Sequence, residues 1–199
     1  MKIYILRHED RTQDCSFFAP LTEIGLNNAK KLVPNLTECN INLIFCSPFI
    51  RTLQTIYPYV NSTKIKINIE YALSEIHHID IIPKKAVGIN LPEYLALAFN
   101  YNCLYKSILK PHEIIYPENE PDVLNRVRIF LKELILQYCE TDFNIVIVTH
   151  QSLCFGILKV VNKLSEEYKN KIDPHLLRNY PKGKLCLVFN NGWTFKLIN

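Results

Sequence analysis

Residues 2–8 read KIYILRH, an apolar run rich in isoleucine that ends in an arginine and a histidine. A short apolar run of this kind predicts a buried strand rather than a surface helix. Two further stretches share the design. Asn42–Cys46 (NLIFC) leads into Ser47-Pro48 and then Arg51, and Asn144–Val148 (NIVIV) leads into Thr149-His150. In open α/β sheets, ligands sit outside the carboxyl ends of the strands. The three ends are therefore expected to converge on one pocket holding Arg7, His8, Arg51 and His150. Two histidines and two arginines gathered there point to phosphoryl chemistry.

Between these runs the pattern turns helical. Thr22 is an expected N-cap for a helix whose apolar face is Ile24, Leu26, Ala29, Leu32 and Val33. Ser47-Pro48 predicts a second helix, with serine as cap and proline at the first position. Lys64–Glu70 (KIKINIE) alternates like a half-buried strand. Residues 76–119 are the least regular part, with Pro83, Pro92, Pro111 and Pro117 and one helical stretch from about Pro92 to Leu109. That region is expected to be an inserted cap that shapes the substrate pocket. Pro121 opens a long amphipathic helix carrying Leu124, Val127, Leu131, Leu134, Ile135 and Tyr138 at three-to-four spacing. A helix from about Ser152 to Leu164 follows the third strand, and Asn190-Asn191-Gly192 joins Leu185–Phe189 to Trp193–Leu197 as a hairpin. The expectation is one α/β domain over residues 1–199. It is a three-layer sandwich with a largely parallel central sheet, helices on both faces and residues 76–119 as the cap.

Composition narrows the function classes. The 199 residues carry a formal net charge of +4 with no long run of like charge, which gives no reason to expect a nucleic-acid partner. No apolar run approaches a membrane span, and the N-terminus meets Arg7 too early for a signal-peptide core. Seven cysteines, an odd number with no C-x-x-C pair, fit a reduced thiol population better than a disulfide framework. The expected location is cytoplasmic. A homodimer stays open on these grounds.

At the strand ends, a neutral imidazole at His8 is a competent nucleophile toward phosphorus. An arginine beside it supplies a bidentate fork for the phosphoryl oxygens. Arg51 adds a second fork near a helix N-terminus, and His150 a further cation or hydrogen-bond donor. A leaving alkoxide needs a proton, so a carboxylic acid is required. Glu75, a few residues beyond the Lys64–Glu70 strand, is the choice; Glu70 is the rival.

These residues carry a family resemblance. Arg7-His8, LTEIGLNNAKKL (21–32), CSPFIRTLQTI (46–56), Leu73-Ser74-Glu75 and VTHQS (148–152) occur in an order similar to that of the histidine phosphatase superfamily. That group includes phosphoglycerate mutases and histidine acid phosphatases. Glu118, Asp122 and Arg126 resemble the E-S-x-x-D-x-x-x-R pattern of several members. The resemblance implies phosphorylation of His8, a cradle of Arg7, Arg51 and His150, and Glu75 as proton donor, with no cofactor and no metal. Adjacent His77-His78 lack convergent ligand spacing.

The sequence departs from the family pattern twice. Glu9 stands where the family usually has glycine, a negative side chain beside the pocket that repels a phosphate dianion unless it turns outward or pairs with Arg11. Arg11 stands three residues after His8, resembling the R-H-G-E-R pattern of a phosphatase branch related to the eukaryotic Sts phosphatases. Arg11 is then an extra phosphate ligand, or else a solvated loop arginine.

The expected function is a metal-independent phosphatase acting on a phosphorylated small molecule or phosphoprotein through a phosphohistidine on His8. The alternatives are a phosphoglycerate mutase-type transfer and a phosphate-binding protein without turnover. Cys46 and Arg51 are separated by four residues rather than five, which argues against a cysteine phosphatase. No G-x-x-x-x-G-K occurs for a nucleotide. Substrate choice is expected to lie with Lys84, Lys85, Tyr94, Tyr101, Tyr105 and His112.

Overall fold

The computed structural model describes residues 1–14, 16–82 and 90–199. Cys15, Pro83, Lys84 and Lys85 lie outside the described residues. One six-stranded sheet runs through the molecule in the order β3-β2-β4-β1-β5-β6. The strands are β1 (Lys2–Arg7), β2 (Leu43–Cys46), β3 (Ile67–Ile69), β4 (Asn144–Thr149), β5 (Leu185–Asn190) and β6 (Trp193–Leu197). The pairings of β1 with β4, β4 with β2 and β2 with β3 are parallel, whereas β5 and β6 form the expected antiparallel hairpin.

Alternation along the central strands explains why their runs are apolar throughout. Ile3 and Ile5 of β1, with Ile145 and Ile147 of β4, enter one core. Opposite them pack α5 (Glu120–Tyr138) and α6 (Gln151–Leu164). Tyr4, Leu6, Val146 and Val148 point to the other face. There they meet α2 (Val33–Glu38) and α3 (Ile50–Thr63), with α1 (Glu23–Lys31) packed against α3. Both faces are covered, so each strand is buried twice. The expected layers are present.

Several local expectations need correction. Thr22 does cap α1, accepting from the Gly25 amide at 3.1 Å. Ile24 and Leu26, however, are 67% and 40% exposed. The helix docks through Gly25 and Ala29 instead, because a Cβ at Gly25 would run into the Asp10 carbonyl oxygen. Ser47 does not cap α3. The helix begins at Ile50 with Phe49 as N-cap, since the Ser47 hydroxyl is engaged by His150. Lys64, in the left-handed region at φ 63°, ends α3 and leaves only Ile67–Ile69 as strand. The stretch from Pro92 to Leu109 forms only α4 (Glu93–Ala98). Asn100, at φ 56°, turns the chain so that Tyr101 bridges to Ile67. A five-residue helix, α7 (Pro174–Arg178), precedes β5.

Pro121 does sit in the first turn of α5. Asn119 is the cap, in a reciprocal box with Asp122 at 3.1 and 2.9 Å. Asp122 is thereby accounted for as a helix-starting residue. Among the described residues, no helix is long and apolar enough to cross a membrane.

Candidate active site

β1, β2 and β4 end side by side, and the residues after them meet in one cavity of about 460 Å³. Arg7, His8, Arg11, Arg51 and Glu75 all line it. The expected convergence of strand ends is observed, and α3 and α6 start at the same end of the sheet. Arg51 is the second residue of α3, so the helix N-terminus and the guanidinium favour the same anion.

His8 is fixed by two backbone contacts. Its amide donates to the Thr149 carbonyl at 2.9 Å, and its Nδ1 lies 2.7 Å from the Glu9 carbonyl. That contact assigns the Nδ1 proton to a carbonyl acceptor and leaves Nε2 with its lone pair. Burial, and next the Arg51 guanidinium, push the His8 imidazole down to about 3. The ring is therefore neutral near pH 7, as a nucleophile must be.

His150 is fully buried, and its ring centroid lies 5.2 Å from that of His8. Its Nε2 is 2.7 Å from the Ser47 hydroxyl. Burial first, then Arg51 and His8, drive its pKa well below the ordinary histidine value. A neutral His150 that accepts the Ser47 proton at Nε2 carries its own proton on Nδ1. That Nδ1 lies 3.7 Å from Glu75 Oε2 and has no hydrogen-bond partner among the described residues. It is a donor waiting for an acceptor. Phe49 packs against this ring at 4.8 Å and also carries the Arg51 guanidinium 4.5 Å above its face.

Arg7 is placed by the segment before β5. Its Nη1 donates to the Tyr180 carbonyl, and its own carbonyl accepts from the Gly183 amide at 3.0 Å. Its Nε is buried with no hydrogen-bond partner among the described residues, a second donor left over for a ligand. Arg51 Nη1 donates to the Ser16 carbonyl at 2.9 Å. Arg11 lines the cavity, but its Nη1 is spent on the loop carbonyls of Thr12, Gln13 and Asp14 at 2.7–3.1 Å. It adds positive charge to the site and braces the loop.

Glu75 is held by Ser152, whose hydroxyl donates to Oε1, and by the Ile76 amide at 3.0 Å. The backbone around it is clamped from α5. Arg126 donates to the carbonyls of Ala72 and Ser74 at 2.7 and 2.9 Å, and pairs with buried Glu118 at 2.6 Å. Glu118 in turn accepts from the His77 amide at 2.8 Å. Glu70 is not in the cavity. It is fully buried and accepts from the Ala72 and Ile108 amides and the Tyr105 hydroxyl, at 2.6–2.9 Å. Its work is to tie residues 105–108 to the end of β3.

Glu9 turns outward, one of the two ways in which it avoids opposing a phosphate. Its side chain hydrogen-bonds with Asn28 and lies against Gly183, where φ is +63° and a Cβ would collide with the carboxylate. Glu9 is not among the residues that line the cavity. The pocket therefore keeps its positive character.

Donor atoms of His8, Glu75 and His150 lie within 4.8 Å of one another, a spacing that could hold a metal ion. Four guanidiniums line the same cavity and oppose a dication there, whereas they attract an anion. Cys46 is a fully buried strand residue, and burial pushes its thiol up to about 12, which removes it as a nucleophile.

Of the residues expected to choose the substrate, the four that are described do not line this cavity. Tyr101 and Tyr105 line a separate cavity of about 340 Å³, Tyr94 is 72% exposed, and His112 lines neither. Ile76, Ile81, Phe155, Gln151 and Arg178 take that place. Ser47 and Ser152 stood within the quoted motifs, yet their roles had no signal in pattern alone. Tyr180 and Arg178 had none.

Residues 6–178 match the family described as the histidine phosphatase superfamily (branch 1). No curated protein matches the chain. Among solved structures, the ecdysone phosphate phosphatase of Bombix mori in complex with tungstate superposes with a TM-score of 0.74 at 15% identity, covering 98% of this chain and 91% of that one. The alpha-ribazole phosphatase of Shigella flexneri gives 0.65 at 17%, covering 100% and 96%. A mycobacterial glucosyl-3-phosphoglycerate phosphatase gives 0.62 at 19%, covering 98% and 96%. At these identities the likeness speaks for the fold.

Proposed function

The chain belongs to the histidine phosphatase superfamily, branch 1, and from that premise we propose that it hydrolyses a phosphomonoester through a phosphohistidine on His8. The observation that carries this reading is a buried neutral imidazole with Nδ1 committed to a carbonyl, set among Arg7, Arg51 and His150. Nε2 attacks phosphorus, and the phosphorus–oxygen ester bond breaks as the nitrogen–phosphorus bond forms. Glu75, entering protonated, gives its proton to the departing oxygen. It then takes a proton from water, whose oxygen attacks the phosphohistidine and releases inorganic phosphate. The free Arg7 Nε and His150 Nδ1 donors match oxygens that gain charge in the transition state.

Turning Glu9 away from the cavity removes the chief argument for a binding protein without turnover. The test is hydrolysis of p-nitrophenyl phosphate in EDTA by the intact protein and by His8→Ala. Activity confined to the intact protein supports the proposal. Equal activity in both, or a strict need for added metal, overturns it.

A further inference from the structure

The cavity holding His8 is lined by groups of different chemistry. Arg7, His8, Arg51 and Glu75 are its reacting and phosphate-binding groups in the reading above. The same cavity is lined by half-buried Ile76, Ile81 and Phe155 and by exposed Arg178. At about 460 Å³ the space falls in the range of small-molecule sites and far exceeds what a phosphoryl group needs.

The order of these residues follows from the chain. Ile76 directly follows Glu75, so a group hanging from the oxygen that Glu75 protonates meets Ile76 next. Phe155 lies one helical turn beyond Gln151 on α6, on the same face. Gln151 Nε2 donates to the Arg178 carbonyl at 2.8 Å and fixes the end of α7 against the start of α6. Arg178 is exposed, and its guanidinium makes no ion pair among the described residues. Four guanidiniums face one carboxylate across the cavity. A phosphate dianion leaves positive charge over, and exposed Arg178 carries part of it.

We propose that the substrate is a small phosphomonoester whose leaving group is apolar next to the ester oxygen and carries a second anion, such as a carboxylate, that Arg178 receives. This rests on the phosphatase reading above. The apolar face packs on Ile76, Ile81 and Phe155, and the anion sets the orientation.

The test compares kcat/KM for phenyl phosphate, 4-(carboxymethyl)phenyl phosphate and glycerol 2-phosphate. The methylene keeps the two phenols of similar acidity, so a difference between them reports binding of the carboxylate. The intact protein should favour the carboxymethyl compound over phenyl phosphate about tenfold, one charge-assisted contact. Arg178→Gln should bring that ratio to about one, and Arg178→Lys should retain part of it. Phe155→Ala should narrow the preference for phenyl phosphate over glycerol 2-phosphate, again by about tenfold.

A ratio of one in the intact protein, or a ratio unmoved in Arg178→Gln, overturns the subsite while hydrolysis itself continues. A phosphotyrosine peptide turned over faster than all three esters overturns the small-molecule assignment. Hydrolysis of none of them removes the phosphatase reading and this inference with it.

Discussion

Arg7, His8, Arg51 and His150 each stand within five residues of a strand end, in a part of the chain whose position the sheet dictates. Residues 70–119, which supply Glu75 and the Ile76–Ile81 wall, are placed differently. Short helical turns there are held by buried charges reaching across the sequence: Glu70 to Tyr105 and Ile108, and Arg126 to Glu118, Ala72 and Ser74. The first region is set by strand pairing and needs few side-chain bonds. Among its described residues the second has little regular structure and depends on a handful of them. The first region holds the proposed nucleophile and phosphate ligands, and the second supplies the proposed acid and part of the cavity wall.

The comparison breaks first at His8. His8→Ala should cut turnover of any phosphomonoester by about a thousandfold or more with the fold intact, as expected when a nucleophile is removed. Circular dichroism alongside steady-state kinetics checks both halves of that statement. Next comes the α5 clamp. Arg126→Met leaves Glu118 buried without its partner and should cost about 3–5 kcal/mol, read as a lower urea midpoint. Replacing both residues by apolar ones should recover part of that loss. If Arg126→Met were neutral, the second region would not depend on its buried charges.

Glu75→Gln should slow glycerol 2-phosphate by about a hundredfold or more and p-nitrophenyl phosphate far less, because nitrophenolate needs little proton donation. Equal losses would remove Glu75 as the acid. The smallest effect is on stability against pH. The His8 pKa is depressed from 6.5 to about 3, so the unfolded chain binds the proton that the folded chain refuses. Stability from this group is full above about 6.5 and is lost as pH falls toward 3. His77, lowered to about 4 chiefly by burial, adds to the same slope. Urea titrations between pH 7 and 4 should show a shallower decline in His8→Asn than in the intact protein; parallel curves would contradict the neutral buried imidazole.

The same contrast explains what could be foreseen from sequence. Runs such as KIYIL and NIVIV are buried on both faces, so their apolar continuity marks the strands, and the sheet then determines where Arg7, His8 and His150 lie. Arg51 followed because a helix start after β2 was also visible. The exact start was not, because Ser47 serves His150 rather than the helix. Ile24 and Leu26 misled for a comparable reason: docking through Gly25 depends on a close approach to Asp10 that no periodicity records. In residues 92–109 helix propensity lost to Glu70, which draws the Tyr105–Ile108 backbone toward β3. Arg178 and Phe155 enter the cavity through the meeting of α6 and α7, a contact between surfaces far apart from residues 76–119 in sequence. Local pattern finds the strand ends; the apolar side of the cavity needs tertiary structure.

The most direct test of the account is a rapid-quench reaction with a ³²P-labelled phosphomonoester, followed by digestion under alkaline conditions that preserve phosphohistidine. Transient label is expected on the peptide containing His8, formed no later than the free alcohol and decaying as inorganic phosphate appears. Turnover with no labelled His8 peptide at any time, or label on another residue, would contradict it.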